Sequence, residues 1–96
     1  MKPSEALALH REAILVVVES HKAHSPRVFG SVVRGEDTED SDLDLLVEPK
    51  SGMSLYDLSA MAIALEVLLG VKVDVMTLGF VHPYFRADVL AEAQPI

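Results

Sequence analysis

Two long stretches of the chain carry apolar residues at helical spacing. From Ser4 to about His21, Leu7, Ile14, Val17 and Val18 share one face, with Ser4 as the expected N-cap. Val16 and Val18 are β-branched and would suit a strand. The helix formers between Glu5 and Arg11 and the length of the pattern favour a helix. From Ser54 onward, Leu55, Leu58, Met61, Ala62, Leu65 and Leu68 line a second helical face. Asp57 stands at a capping-box offset from Ser54, and Gly70 is a natural stop. Pro83 predicts the start of a shorter helix to about Glu92.

Between these lie short runs with strand character. Ser25-Pro26 breaks the chain, and Arg27-Val28-Phe29 reads as a short buried strand leading into Gly30. Val32 to Gly35 is expected to form a helical turn, followed by a polar loop, Glu36 to Ser41. Asp42 to Glu48 alternates, with 42, 44 and 46 facing one way and 43, 45 and 47 the other. Pro49 to Met53 is a turn, and Val71 to Thr77 is a strand containing Asp74. The predicted order is α, β, β, α, β, α. A short link joins the first two strands and a crossover helix joins the last two. That pattern implies an α/β fold with a small mixed β-sheet flanked by helices.

The chain has 96 residues, half of them hydrophobic, which argues for one domain, residues 1–96, with a small core. No separate substrate domain fits, so a partner or second subunit is expected to complete any substrate surface. The net charge is −7, and Glu36, Asp37, Glu39, Asp40, Asp42 and Asp44 concentrate much of the acidity. No basic face is visible, so direct nucleic-acid binding is not expected. The acidic cluster instead suits a basic protein partner or a cation. Without cysteine there are no disulfides or thiolate metal sites. The N-terminus lacks the apolar core of a signal peptide, and runs such as Ala13 to Val18 are too short to span a bilayer. A soluble cytoplasmic protein is the expectation.

The chemistry concentrates in Gly30-Ser31-Val32-Val33-Arg34-Gly35 and Ser41-Asp42-Leu43-Asp44, with ten residues between Ser31 and Asp42. On a strand, Asp42 and Asp44 share a face with α-carbons about 7 Å apart. Such a pair can share Mg²⁺, which keeps water or phosphate oxygens in its remaining positions. Alone, the pair reads more readily as a solvated strand face at a sheet edge, but Leu43, Leu45, Leu46 and Val47 look like a core strand. Gly30 permits a sharp turn and close approach of phosphate. Ser31 offers a hydroxyl and an amide, and Arg34 can pair with phosphate oxygens. Asp74, flanked by valines, needs a metal, a cation or an exposed strand end. A salt bridge to Lys72 or Arg34 is the structural alternative.

Together these residues resemble the nucleotidyltransferase superfamily that includes DNA polymerase β, and most closely its minimal nucleotidyltransferase branch. The pattern of Gly-Ser, ten residues, Asp-x-Asp and a later acidic residue is met at Gly30, Ser31, Asp42, Asp44 and Asp74. Its longer form is met at Arg34, Gly35 and Ser41. The resemblance implies the nucleotidyltransferase fold and a site in which Asp42, Asp44 and Asp74 are catalytic and metal-binding. Gly30, Ser31, Arg34 and Ser41 would bind the nucleotide. It further implies Mg²⁺ as cofactor, ATP as substrate, and a HEPN-domain toxin as partner in a hetero-oligomer. The antitoxin of such a pair transfers AMP from ATP to a tyrosine of the toxin.

Two other readings stay open at this stage. One is a nucleotidyltransferase acting on a small molecule such as an aminoglycoside. The other is a non-catalytic acidic antitoxin or binding module. His10, His21, His24 and His82 have no metal-ligand spacing and read as surface or capping residues. Tyr84, Phe85 and Arg86 could form a partner patch, although one face of a core-packed closing helix is the favoured expectation.

Overall fold

The computed structural model describes residues 1–96. Helix α1 (Pro3–Ser20) leads into strand β1 (Ala23–Phe29) and then β2 (Leu43–Pro49). Helix α2 (Leu55–Leu69) crosses over to β3 (Val73–Met76). A 3₁₀ turn (Leu78–Phe80), helix α3 (Pro83–Glu92) and a two-residue strand β4 (Gln94–Pro95) complete the chain. The sheet order is β3-β2-β1-β4. β1 pairs antiparallel with both β2 and β4, and β2 pairs parallel with β3. The mixed α/β sheet expected from the sequence is therefore present, with β4 and the 3₁₀ turn as additions.

Alternation along the strands gives the sheet two apolar faces. Val28, Leu43, Leu45, Val47 and Val73 meet Leu7, Ile14 and Val18 of α1 and Leu58, Met61 and Leu65 of α2 in the main core. On the opposite face Phe29 and Leu46 pack with Val81, and Val89 of α3 and Ala93 just after it lie against them. Leu55, placed in the buried α2 face by its spacing, is instead exposed, and Leu69 is buried.

Local chemistry sets the ends of α2. The Ser54 hydroxyl accepts from the Asp57 amide, while the Asp57 carboxylate accepts from the Ser54 amide at 2.8 Å. Gly70 ends the helix with φ +70°, the left-handed conformation that glycine adopts without strain. The start of α1 differs from expectation. Ser4 lies inside the helix, Lys2 is the N-cap and Pro3 opens the first turn. The Ser4 amide donates to Asp37 at 2.9 Å, so a carboxylate from the acidic loop caps this helix. Ser25-Pro26 also departs from expectation. It lies within β1 at a register shift between His24 and Arg27, with Ser25 at φ +50°.

Leu65 is fully buried whereas Val67, on the same helix, is 82% exposed. Leu65→Ala should cost about 2–5 kcal/mol in urea unfolding, and Val67→Ala less than about 0.5 kcal/mol. Similar losses for both would show that α2 packs through another face.

Candidate active site

β2 is the second strand from the β3 edge, between β1 and β3, and its register assembles the site. Asp44 stands opposite Phe29 on β1 and opposite Asp74 on β3. Asp42 lies just before β2, which begins at Leu43 rather than at Asp42. By the two-residue period of the strand it projects to the same face as Asp44. The three carboxylates therefore gather on the α3 side of the sheet, where β1 ends in the Gly30 turn. Asp74 is exposed, because β3 is an edge strand. It forms no salt bridge with Lys72 or Arg34: Arg34 pairs with Glu36 and Glu92.

Residues 30–34 form a turn closed by the Arg34 amide donating to the Gly30 carbonyl at 3.3 Å. The Glu36 amide returns to the Ser31 carbonyl at 2.9 Å. The amides of Ser31, Val32 and Val33 are not engaged in hydrogen bonds within the chain. Three successive amides in one turn make a concavity suited to an anion. Gly30 has φ +77°, and a Cβ there would overlap Oδ2 of Asp44, so only glycine allows turn and carboxylate to share this space. Ser41 has another local task. Its hydroxyl accepts from the Thr38 amide at 2.8 Å and helps close the acidic loop.

Asp44 is pushed up from 3.8 to about 6, first by burial and then by the charges of Asp74 and Asp42. Glu92 adds to this and Arg34 opposes it. The cluster is therefore short of positive charge, a state that a bound cation relieves. The side chains do not converge into a closed cage of three or more ligands. An open, all-oxygen set of one or two carboxylates beside a phosphate-binding turn is what Mg²⁺ takes, so these residues fit that ion.

Glu92 belongs to this constellation, and motif reading missed it. Its carboxylate accepts from the Gly30 amide at 2.6 Å and from Arg34 Nη1 at 2.9 and 3.2 Å. No local signal marks it. It meets the turn through the pairing of β4 with β1. His82 caps α3 by accepting from the Tyr84 amide at 3.1 Å. The expectation that Tyr84 and Phe85 pack in the core is overturned. They are 78% and 53% exposed, because the end of α3 meets the sheet through the partly buried Val89 and the following Ala93 instead.

A mixed sheet with adjacent carboxylates beside a glycine turn defines a nucleotidyltransferase. The profile of the nucleotidyltransferase domain family matches residues 11–96, and the chain belongs to that family. Over 83 residues it is 39% identical to a protein of Methanocaldococcus jannaschii provisionally named a protein adenylyltransferase, spanning 86% of this chain and 89% of the relative. It is 49% identical over 65 residues to protein adenylyltransferase MntA of Thermococcus cleftensis, spanning 68% and 66% of the two chains. A solved structure described as a minimal nucleotidyltransferase superposes with TM-score 0.86 at 48% identity, covering 97% of this chain and 95% of the other. A toxin–antitoxin structure with AMP-PNP shares the fold, with TM-score 0.75 at 20% identity over 88% of this chain and 69% of the other.

The raised Asp44 pKa has a signed consequence. Between 3.8 and about 6 the folded chain holds a proton that the unfolded chain has released. The penalty of this carboxylate is absent below the lower value and complete above the upper one. Because Asp44 is half exposed, solvent screening reduces it to on the order of 1 kcal/mol. In metal-free buffer Asp44→Asn should be more stable than the native chain by about that amount at pH 7, with the advantage gone near pH 4. The lowered carboxyls of Glu19, Asp37 and Asp57 act in the opposite sense but are common to both proteins. Urea titrations across this range check the difference, and a pH-independent offset would refute the assignment.

Proposed function

We propose that the chain is a Mg²⁺-dependent adenylyltransferase that moves AMP from ATP onto a tyrosine hydroxyl of a HEPN-domain partner, acting as a cytoplasmic antitoxin. The observation that carries this reading is the juxtaposition of Asp42, Asp44 and Asp74 with a turn whose Ser31, Val32 and Val33 amides are unengaged. The adenylyltransferase names of relatives in M. jannaschii and T. cleftensis support the reaction class.

In this reading the open amides, the Ser31 hydroxyl and Arg34 receive the triphosphate, and Gly30 allows it to approach. Ser41 holds the loop that leads into Asp42. Asp42, Asp44 and Asp74 would hold Mg²⁺. When bound, the ion supplies charge neutralisation and polarisation of the phosphate oxygens. The acceptor hydroxyl attacks the α-phosphorus in line. A new oxygen–phosphorus bond forms, the bond to pyrophosphate breaks, and exposed Asp74 accepts the hydroxyl proton.

None of the surface concavities is lined by Asp42, Asp44 or Asp74. An open carboxylate face suits an acceptor that arrives on another protein better than a small aminoglycoside needing an enclosing pocket. The carboxylate–glycine geometry also exceeds what a purely acidic binding module requires.

The test is incubation with labelled ATP, Mg²⁺ and the product of the neighbouring gene, which this reading expects to be a HEPN-domain protein. Label should appear on a partner tyrosine and be lost when that residue is phenylalanine. Asp42→Asn and Asp44→Asn should each lower transfer by about a thousandfold or more without unfolding the chain. Asp74→Asn should lower turnover by about a hundredfold or more while keeping ATP affinity within about threefold. Native-rate transfer by Asp44→Asn would overturn the reading. Labelling of an aminoglycoside but not the protein would replace the acceptor.

A further inference from the structure

Glu92 contacts residues at both ends of the candidate phosphate turn. One oxygen accepts from the Gly30 amide at 2.6 Å, and the carboxylate takes Arg34 Nη1 at 2.9 and 3.2 Å. Gly30 and Arg34 are also joined to each other by the bond that closes the turn. The carboxylate thus grips the first and last residues of one turn and leaves its middle amides, those of Ser31, Val32 and Val33, without a partner in the chain.

This placement follows from the sheet. β4 pairs antiparallel with β1, with Gln94 opposite Val28. Extending that register by two residues in each direction sets Glu92 opposite Gly30. The Ile96 amide donates to the Pro26 carbonyl at 3.2 Å and extends the same contact the other way. Val89 and Ala93 pack on the Phe29–Leu46 cluster and hold the end of α3 down on the sheet.

The geometry points to Glu92 as a positioning residue of the nucleotide site, clamping Gly30 and Arg34 so that the amides between them stay ordered for a polyphosphate. The inference rests on the phosphate-binding reading of the 30–34 turn. A negative charge beside a polyphosphate site is tolerable here because Arg34 neutralises it directly. Reach and acceptor geometry, rather than charge, are then what Glu92 supplies. Glutamine keeps the reach and one acceptor oxygen, enough for the Gly30 amide, whereas aspartate keeps the acceptors but is one methylene too short.

The experiment uses Glu92→Gln, Glu92→Asp and Glu92→Ala, with Glu36→Gln as control because Glu36 touches Arg34 only at Nε. Binding of inorganic tripolyphosphate and of Mg²⁺-ATP is measured by calorimetry, alongside amide hydrogen exchange at Gly30. Glu92→Ala and Glu92→Asp should bind both probes about tenfold more weakly and exchange Gly30 faster. Glu92→Gln should stay within about threefold of the native chain, and Glu36→Gln within about twofold. Unchanged or tighter binding in Glu92→Ala would overturn the inference, since the carboxylate would then be idle or competing with the ligand. Aspartate performing as well as glutamine would overturn it too. If Glu92→Ala does not fold, the comparison of glutamine with aspartate still decides. Should the native chain bind neither probe while the exchange pattern holds, the clamp stands and the phosphate reading falls. Native binding and AMP transfer with an indifferent Glu92→Ala would remove the clamp alone.

Discussion

Asp44 is the constraint around which the rest is arranged. It sits on a strand paired on both sides, so its backbone cannot move away from its neighbours. Its carboxylate occupies the space where Gly30 would carry a Cβ, and Asp74 faces it across the parallel ladder. Burial and like charge both oppose ionisation, and the folded chain carries that cost without a compensating hydrogen bond to Asp44. The stability needed to tolerate it comes from the opposite face of the same strand. There Leu43 and Leu45 are fully buried and Val47 nearly so, under α1 and α2. One strand thus provides much of the core with its odd-numbered residues and the charged site with its even-numbered ones.

The acidic loop links this strand to the helix layer. Asp37 accepts the Ser4 amide at the start of α1, where the helix dipole favours a negative charge, and its pKa falls accordingly. The N-terminal ammonium pairs with Glu39 at 3.4 Å. The first contact is part-buried and the ion pair is exposed, so the pair is a weak source of stability. Their joint effect is geometric: the segment from Gly35 to Ser41 is anchored over α1, and β2 then begins at Leu43. A loop rich in carboxylates would otherwise repel the cluster that it introduces.

How much of this was readable from sequence depends on the range of the interactions involved. The ends of α2 were legible because Ser54, Asp57 and Gly70 act within a few residues of the backbone that they cap. The start of α3 was legible for the same reason, through Pro83. Gly30, Asp42, Asp44 and Asp74 were legible because their spacing matches a compound motif and the sheet register brings Asp44 and Asp74 into opposition. The true cap of α1 was not, because Asp37 reaches it from 33 residues away. β4 was not, because Gln94-Pro95 has no alternation and exists only through its pairing with β1. Tyr84 and Phe85 misled in the other direction: aromatic character argued for burial, but α3 is tethered through its small and β-branched residues. For Asp74, flanked by valines, the sequence left a metal, a cation or an exposed strand end open, and the edge position of β3 leaves it exposed.

The least legible site contact is a long-range one. The hydrogen bond between Gly30 and Glu92 spans 62 residues, and the register that delivers it depends on a two-residue strand at the end of the chain. β1 must already be paired with β2 before β4 has an ordered edge to join, because a short strand contributes too few bonds to fix its own partner. Closing so long a loop carries an entropic cost that only the finished sheet and the Phe29–Leu46–Val81 cluster can offset. The ordered turn is therefore a property of the whole fold, not of the Gly-Ser sequence that marks it. A chain could carry the complete motif and still present a loose turn if its final segment were displaced. Conversely, whatever holds β4 against β1 also keeps Glu92 at the turn.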